Sequence, residues 1–342
     1  MPRTRGGATP RQPTVADVAT AARVSTATVS RVLNGNETVA PELAARVQLA
    51  MADLGYRPSR VARSLRTRRA RVWFLILSDI QNTFFTDLVG SIQDRAHDEG
   101  YALVVCNSQN GKREQECLDL AIAEQAAGVI IVPIHPRRTD VSPVLERGVP
   151  VVSVDQRLAD RGVDCVVADN VAGARLAVDH LFDRGYKRVA FLGGVKGLST
   201  ASERLRGYRQ ALKARAVGDD PALARVANFN EPGGYREMQE LLALARRPDA
   251  VIAGNNPVTI GALHALKEAG VKIPTDIGLI GFDETIWATL VEPPLTTIAQ
   301  PTWAMGHESA QLLLSRIDGY VGPPRRVVLP PSLHVRESTR PR

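Results

Sequence analysis

Cysteine is scarce in this chain: Cys106, Cys117 and Cys165 are the whole supply in 342 residues. An odd number without CxxC spacing excludes a disulfide framework and a cysteine-based zinc site, and it fits a reducing compartment. Aromatic residues make up only 5%. No apolar run approaches the roughly 18 residues that a membrane span needs. The basic start MPRTRGGATPRQP is not followed by an apolar signal core, so the chain is expected in the cytoplasm and without a membrane partner. Lysine is missing from residues 1–71, where thirteen arginines face four acids. That stretch carries +9 of the chain's net +7, which leaves −2 for the remainder. A strongly basic head on a near-neutral body implies a polyanionic partner for the head alone.

Signatures of catalysis are missing too. The chain has no GxSxG, no HExxH and no Walker A lysine, and GGVKG at 193–197 lacks the GxGxxG order of a dinucleotide loop. Its six histidines are scattered, with His97, His180, His264 and His307 inside helical patterns. No acid–base dyad stands out, so no enzyme activity, cofactor or metal is expected.

Behind a basic tail at 1–13, residues 14–57 are expected to hold three short helices. Thr14 can cap the first, with Asp17 completing a capping box. Val15, Val18, Ala19 and Ala22 then share one face. Ser25 can cap a second helix, and Asn34-Gly35 would end it. Pro41 suits the first turn of a third, with Leu43, Val47, Ala50, Met51 and Leu54 as its buried stripe and Gly55 as its stop. Two short helices joined by a turn and braced by a third make a helix-turn-helix. At 100° per residue, Val29, Val32 and Leu33 of the second helix point inward, while Ala27 and Arg31 face outward and Thr26 sits at the exposed start. Such positions read bases when a helix enters the major groove. Arg31 can clamp guanine O6 and N7, Ala27 or Thr26 can meet a thymine methyl, and Thr28 and Ser30 suit phosphate oxygens. The plainer reading is a structural three-helix bundle with a solvated arginine.

The next stretch, YRPSRVARSLRTRRAR at 56–71, has seven arginines and no acid. Residues 58–71 read as a hinge or linker that orders when phosphates neutralise it. Leu65 could then wedge between base steps in the minor groove. Tyr56, Arg57, Arg63 and Arg66 are further candidates for DNA contact.

From residue 72 onward, apolar strands alternate with amphipathic helices: VWFLILSDI, YALVVCNS, VIIVPIH, VPVVSVD, DCVVADN, RVAFLGG, ARVANFN, DAVIAGN and IGLIGFD. This is the rhythm of an α/β chain with doubly wound parallel sheets, and there are enough units for two. A break near 164–173 marks the crossing from one lobe to the other. The lobes are expected at about 72–169 with 302–329, and about 170–301 with 330–342. Ligands of such sheets lie beyond the carboxyl ends of the strands, in the cleft between lobes. Asp79, Asp155, Asp169, Asn170, Asn255, Asn256 and Asp283 fall at strand ends. Phe84, Phe85, Arg204 and Trp287 stand nearby. Carboxylates, amides and an arginine bind hydroxyls, and an aromatic face covers the apolar side of a sugar ring. Taken singly, each of these polar residues is better read as a helix cap; taken together, they favour a cleft for a polar ligand, with Asp283 and Trp287 as the sharpest members.

The segments TVADVATAARVSTATVSRVLNG, VAPELAARV and LGYRPSRVARSLRT resemble the DNA-binding head and hinge of the LacI/GalR family of bacterial transcription regulators. The likeness continues through SDIQNTFFTDLVGSI, VVADNVAGARLAVDHL, ERLRGYRQAL and IPTDIGLIGFDE, from Thr14 to about Ser338. It implies a cytoplasmic homodimer on a pseudo-palindromic operator, and a body similar to periplasmic sugar-binding proteins with a small effector in its cleft. It places Thr26, Ala27 and Arg31 at base-reading positions, Thr28, Ser30 and Asn34 at phosphate contacts, and Leu65 on the hinge leucine. It adds Phe229 to Phe84, Phe85, Asp155, Arg204 and Asp283 as effector contacts. Two departures bear on the effector. Asn255-Asn256 stands where many sugar-responsive members have Asn-Asp, and Leu198 where purine-responsive members have a basic residue. A transporter's solute-binding protein, or a sugar-processing enzyme, is the rival reading.

Overall fold

The first helix opens on a reciprocal pair of hydrogen bonds. In the computed structural model, which describes residues 13–33, 38–56, 70–109, 111–158, 162–195 and 197–341, Asp17 N donates to Thr14 Oγ1 at 3.3 Å. Thr14 N in turn donates to Asp17 Oδ2 at 2.7 Å. These bonds satisfy donors that a helix start would leave exposed. The chain divides into two compact units, residues 1–70 and 71–342.

Within the first unit, α1 (Val15–Ala22) ends at Arg23, whose φ of 51° turns the chain. Ser25 Oγ then accepts from Thr28 N at 3.1 Å and starts α2 (Thr26–Leu33). The third helix, α3 (Pro41–Asp53), closes the bundle. Each helix sends one fully buried valine to the centre, Val18, Val29 and Val47, with Ala19, Ala22 and Ala50 filling the gaps. Arg46 of α3 donates to the carbonyls of Ala22 and Arg23, which α1 leaves without helical partners. Leu54 departs from its expected place in the stripe and is exposed. Beyond it, Gly55 takes φ 61°, Gly55 N donates to Ala52 O, and Tyr56 N donates to Met51 O. This turn folds the chain back, so that Tyr56 rather than Leu54 packs against the small core.

The second unit holds two six-stranded sheets. The first runs β11-β5-β4-β3-β1-β2 and is parallel throughout, from β1 (Val72–Leu77), β2 (Ala102–Asn107), β3 (Gly128–Ile131), β4 (Val151–Val154), β5 (Asp164–Ala168) and β11 (Arg326–Leu329). The second runs β12-β10-β9-β8-β6-β7, from β6 (Val189–Gly193), β7 (Ala224–Val226), β8 (Ala250–Ala253), β9 (Gly278–Phe282), β10 (Thr296–Ala299) and β12 (Ser332–His334). Its β12 alone pairs antiparallel, on β10. Central strands such as VWFLIL are buried on both faces, which is why they read as unbroken apolar runs.

The first lobe is covered by α4 (Phe84–Asp98), α5 (Gly111–Ala123), α6 (Ser142–Glu146) and α11 (Thr302–Ile317). The second is covered by α7 (Asn170–Asp183), α8 (Ser199–Ala214), α9 (Glu231–Leu242) and α10 (Asn256–Glu268). Helices α9 and α10 meet backbone to backbone: a Cβ on Gly261 would come within 2.1 Å of Glu231 O, and one on Gly234 within 2.4 Å of Val258 O. The chain crosses between sheets three times, after β5, after β10 and after β11. The last return is clasped by Asp164, whose buried carboxylate accepts from Arg316 and Arg325 at 2.7–2.9 Å and from Arg325 N at 2.7 Å. Both guanidinium groups also pack on the ring of Tyr320, at 4.8 and 4.1 Å from its centre. Cys106, Cys117 and Cys165 are free thiols.

In each sheet the strand order reverses beside one strand, at β1 in the first and β6 in the second. Such a reversal leaves a crevice at the carboxyl ends of the strands.

Candidate functional site

A cavity of about 190 Å³ opens between the strand ends of the two lobes. The first lobe contributes Asp79 after β1, Phe84 and Phe85 from the first turn of α4, and Asp155 with Gln156 after β4. The second contributes Thr200 and Arg204 of α8, Phe229 after β7, Asn255 after β8 and Asp283 after β9. Gln300, just beyond β10, completes the polar wall.

The two central carboxylates both sit on left-handed backbone, Asp155 at φ 64° and Asp283 at φ 76°. That conformation is uncommon for a residue with a Cβ and clusters at functional sites, where surrounding structure holds it in place. Phe229 has the same sign of φ, at 53°. Asp283 Oδ2 accepts from Asn256 N at 3.0 Å and Oδ1 from Gln300 Nε2 at 2.6 Å. Asp155 is buried, and loss of hydration pushes its carboxyl up to about 6. Arg204 opposes that rise, and the neighbouring Asp283 and Glu203 reinforce it.

Arg204 is 3% exposed and locked on three sides. Its Nε donates to Asn170 Oδ1 at 2.7 Å, one Nη donates to Gly254 O, and its guanidinium carbon lies 4.3 Å from the centre of the Phe282 ring. Burial lowers its basicity, while Asp283, Asp155 and Glu203 hold its charge. The lobes are also pinned to each other around the cavity. Gln156 Nε2 donates to Thr200 Oγ1 at 2.6 Å, Ser199 N donates to Gln156 Oε1 at 2.9 Å, and Arg157 pairs with Glu203 at 2.7 Å. On the other flank Asn256 Nδ2 donates to Thr83 Oγ1 at 2.9 Å.

The cavity thus gathers Asp79, Phe84, Phe85, Asp155, Arg204, Phe229, Asn255 and Asp283 from the residues that the sequence singled out. Four others stand outside its lining, and one of them, Asn170, holds Arg204 from behind. Asp169 is the cap of α7, accepting from Ala172 N at 2.9 Å. Asn256 is spent on Thr83 and, through its backbone N, on Asp283. Trp287, expected among the sharpest members, lies in a 3-10 turn (Ile286–Thr289) and packs against the apolar core under β8 and β9. The turn begins only at Ile286, after Asp283 on left-handed backbone and an extended Thr285, so the four-residue spacing is not a helical one and does not place Trp287 beside Asp283. Sequence reasoning overlooked Gln156, Thr200 and Gln300. Gln156 follows Asp155 directly and Gln300 ends a strand, TTIA, too polar to read as one.

In the head, Thr26, Ala27 and Arg31 are exposed on one side of α2, opposite the fully buried Val29. Thr28 and Ser30 flank that row and are half-buried, and Tyr56 packs on the core. Asn34, Arg57, Arg63, Leu65 and Arg66, like the tail and most of the hinge, lie outside the described residues. Among the described residues no group of side chains could hold a metal ion, and no helix is long and apolar enough to cross a membrane.

A helix-turn-helix with Thr26, Ala27 and Arg31 in an outward row, and a two-lobed α/β body with a charged cleft at its strand ends, define a ligand-responsive DNA-binding regulator. Comparison with known proteins agrees part by part. Residues 14–59 match "Bacterial regulatory proteins, lacI family", and residues 178–339 match "Periplasmic binding protein-like domain". The HTH-type transcriptional regulator CelR of Thermobifida fusca is 34% identical over 96% of this chain and 98% of its own length. The HTH-type transcriptional repressor CytR of Escherichia coli K12 is 34% identical over 96% of each chain. A solved CelR–cellobiose complex superposes with a TM-score of 0.74 at 33% identity, over 95% of this chain and 99% of that one. The lac repressor dimer bound to operator and the anti-inducer ONPF gives 0.84 at 27% identity, over 96% and 100%. The chain therefore belongs to the lacI family of bacterial regulatory proteins.

Proposed function

We propose that the chain is a cytoplasmic, homodimeric repressor that binds a pseudo-palindromic operator and is controlled by a small polyhydroxylated effector in the interlobe cleft. The observation that carries the DNA half is the row of Thr26, Ala27 and Arg31 on the open side of α2, with Val29 sealed behind it. In the major groove Arg31 would clamp a guanine, contributing about 1–3 kcal/mol of discrimination, while Thr28, Ser30 and Asn34 take phosphates. The arginines of 57–71, with Leu65 between them, would complete the contact in the minor groove.

The effector is a single-ring molecule. The cavity, at about 190 Å³, is smaller than the sites of roughly 300–1,000 Å³ that hold drug-sized ligands. Phe84, Phe85 and Phe229 supply the apolar wall, and Asp155, Asp283, Asn255 and Arg204 the hydroxyl partners. The wall comes from both lobes, so a bound ring changes how the lobes hold together. Operator affinity follows through a coupling of about 1–3 kcal/mol. The test is operator selection with the full chain, followed by fluorescence anisotropy in the presence and absence of single sugars. A selected palindrome whose affinity shifts with one sugar, and falls steeply with salt, supports the reading. A flat salt response, or no selected site, defeats it.

A further inference from the structure

The charge in the cleft is unbalanced. Among the described residues, Asp79, Asp155 and Asp283 line it against one cation, Arg204. That cation is already engaged, by Asn170 Oδ1, by the Gly254 carbonyl and by the face of Phe282. The amide nitrogens of Gln156, Asn255 and Gln300 are engaged as well. Gln156 Nε2 bonds Thr200, Asn255 Nδ2 bonds Phe229 O, and Gln300 Nε2 bonds Asp283 Oδ1. The last of these fixes the orientation of the Gln300 amide and leaves its Oε1 buried without a partner. Among its described lining residues the cleft therefore carries an excess of carboxylate over cation, and it favours a ligand that brings positive charge and donors.

Building on the reading of this cleft as the effector site, we propose that its effector is an amine-bearing polyol, an amino sugar in its protonated form, and that phosphorylated and carboxylated sugars are rejected. An ammonium has three donors and no acceptor, and its bonds to carboxylates are roughly twice as strong as neutral ones. A phosphate ester brings the opposite: negative charge and acceptor oxygens, placed beside carboxylates where water screens little. The burial that drives the Asp155 carboxyl up to about 6 is the same unfavourable crowding that a bound cation relieves.

Calorimetric titration of the full chain near neutral pH tests this with matched sets built on glucose, galactose and mannose. Each set holds the parent sugar, its 2-amino-2-deoxy form, the N-acetylated form and the 6-phosphate. In the set with the right stereochemistry, the amine is expected to bind about tenfold tighter than the parent. N-acetylation should erase that gain, and the phosphate should give no heat. Asp155→Asn should bring the amine-to-parent ratio near one. Asp283→Asn serves the same purpose should the first variant unfold. Equal binding of amine and parent, or binding of any phosphate, overturns the proposal and leaves the sugar reading standing. Silence from every member overturns both.

Discussion

Arg204 lies over the ring of Phe282 while its Nε donates to Asn170, so one side chain ties the end of β9 to the start of α7. Both partners are buried. A guanidinium can stack and donate at once because it is planar and forked, which an ammonium is not. Arg204→Lys should therefore retain the charge and still fail. Effector binding is expected to drop by at least about tenfold, with operator binding in the absence of effector unchanged. Chemical denaturation should show a loss of about 1–3 kcal/mol, from the acceptor left on Asn170. A Lys variant with normal effector response would show that charge alone matters here.

Arg31 and Val29 share α2 and face opposite ways, so their substitutions should separate recognition from folding. Arg31→Ala is expected to keep the melting temperature of the head while costing about 1–3 kcal/mol at one operator position. Anisotropy against single-base operator variants measures this: the preference should flatten at one base pair per half-site and persist elsewhere.

Asp155 makes the body sensitive to mild acid. Its folded pKa, about 6, stands above the ordinary carboxylate value, so the folded state holds the proton more tightly than the unfolded one. The associated stability is fully present below about pH 4 and is lost as pH rises through 6. Asp155→Asn should remove that slope and stabilise the effector-free body at neutral pH by about 1–3 kcal/mol. Melting temperatures of both proteins from pH 4.5 to 7.5 should converge at the acid end. Parallel curves would contradict the assignment.

Asp164 works in the opposite sense. Paired with Arg316 and Arg325, its carboxyl is held down to about 2, so its contribution is present above the unfolded pKa and lost as pH falls through 2. Asp164→Asn leaves two neighbouring guanidinium groups without their shared carboxylate. A loss of about 3 kcal/mol is expected, read by urea denaturation at neutral pH. Since the clasp holds the segment leading into β11, proteolysis near residues 318–325 should accelerate in the same variant.

Thr14→Ala should lower the stability of the head by about 1 kcal/mol, because Asp17 N and Asp17 Oδ2 both lose the Thr14 hydroxyl, while the bond from Thr14 N to Asp17 remains. Thr14→Ser, which retains the hydroxyl, should cost far less in the same thermal scan.

Much of the architecture was legible in the chain itself. The run VWFLIL announced a strand buried on both faces, and the 100° spacing of Val29 against Ala27 and Arg31 separated the inner and outer sides of α2. The strands β10, β11 and β12 were not legible: TTIA, RVVL and SLH are three or four residues long and mix polar with apolar side chains. β11 and β12 become strands because the chain returns from the other lobe to a sheet edge, and β10 because it lies between β9 and β12, pairings with no local signature. Leu54 failed for a related reason, since the turn at Gly55 brought Tyr56 into the place that periodicity had assigned to it.

The sequence by itself determined what each segment could become, because side-chain periodicity and capping act over a few residues and need no knowledge of the rest. Only the tertiary structure decided which strand-end residues meet. Asp155 and Asp283 converge because two separately wound sheets turn their carboxyl ends toward one crevice. Asp169, equally polar and equally placed, has its oxygen occupied by the first turn of α7. Trp287 was drawn to the core beneath β8 and β9 because a large apolar ring gains more from burial than from one wall of a water-filled cleft.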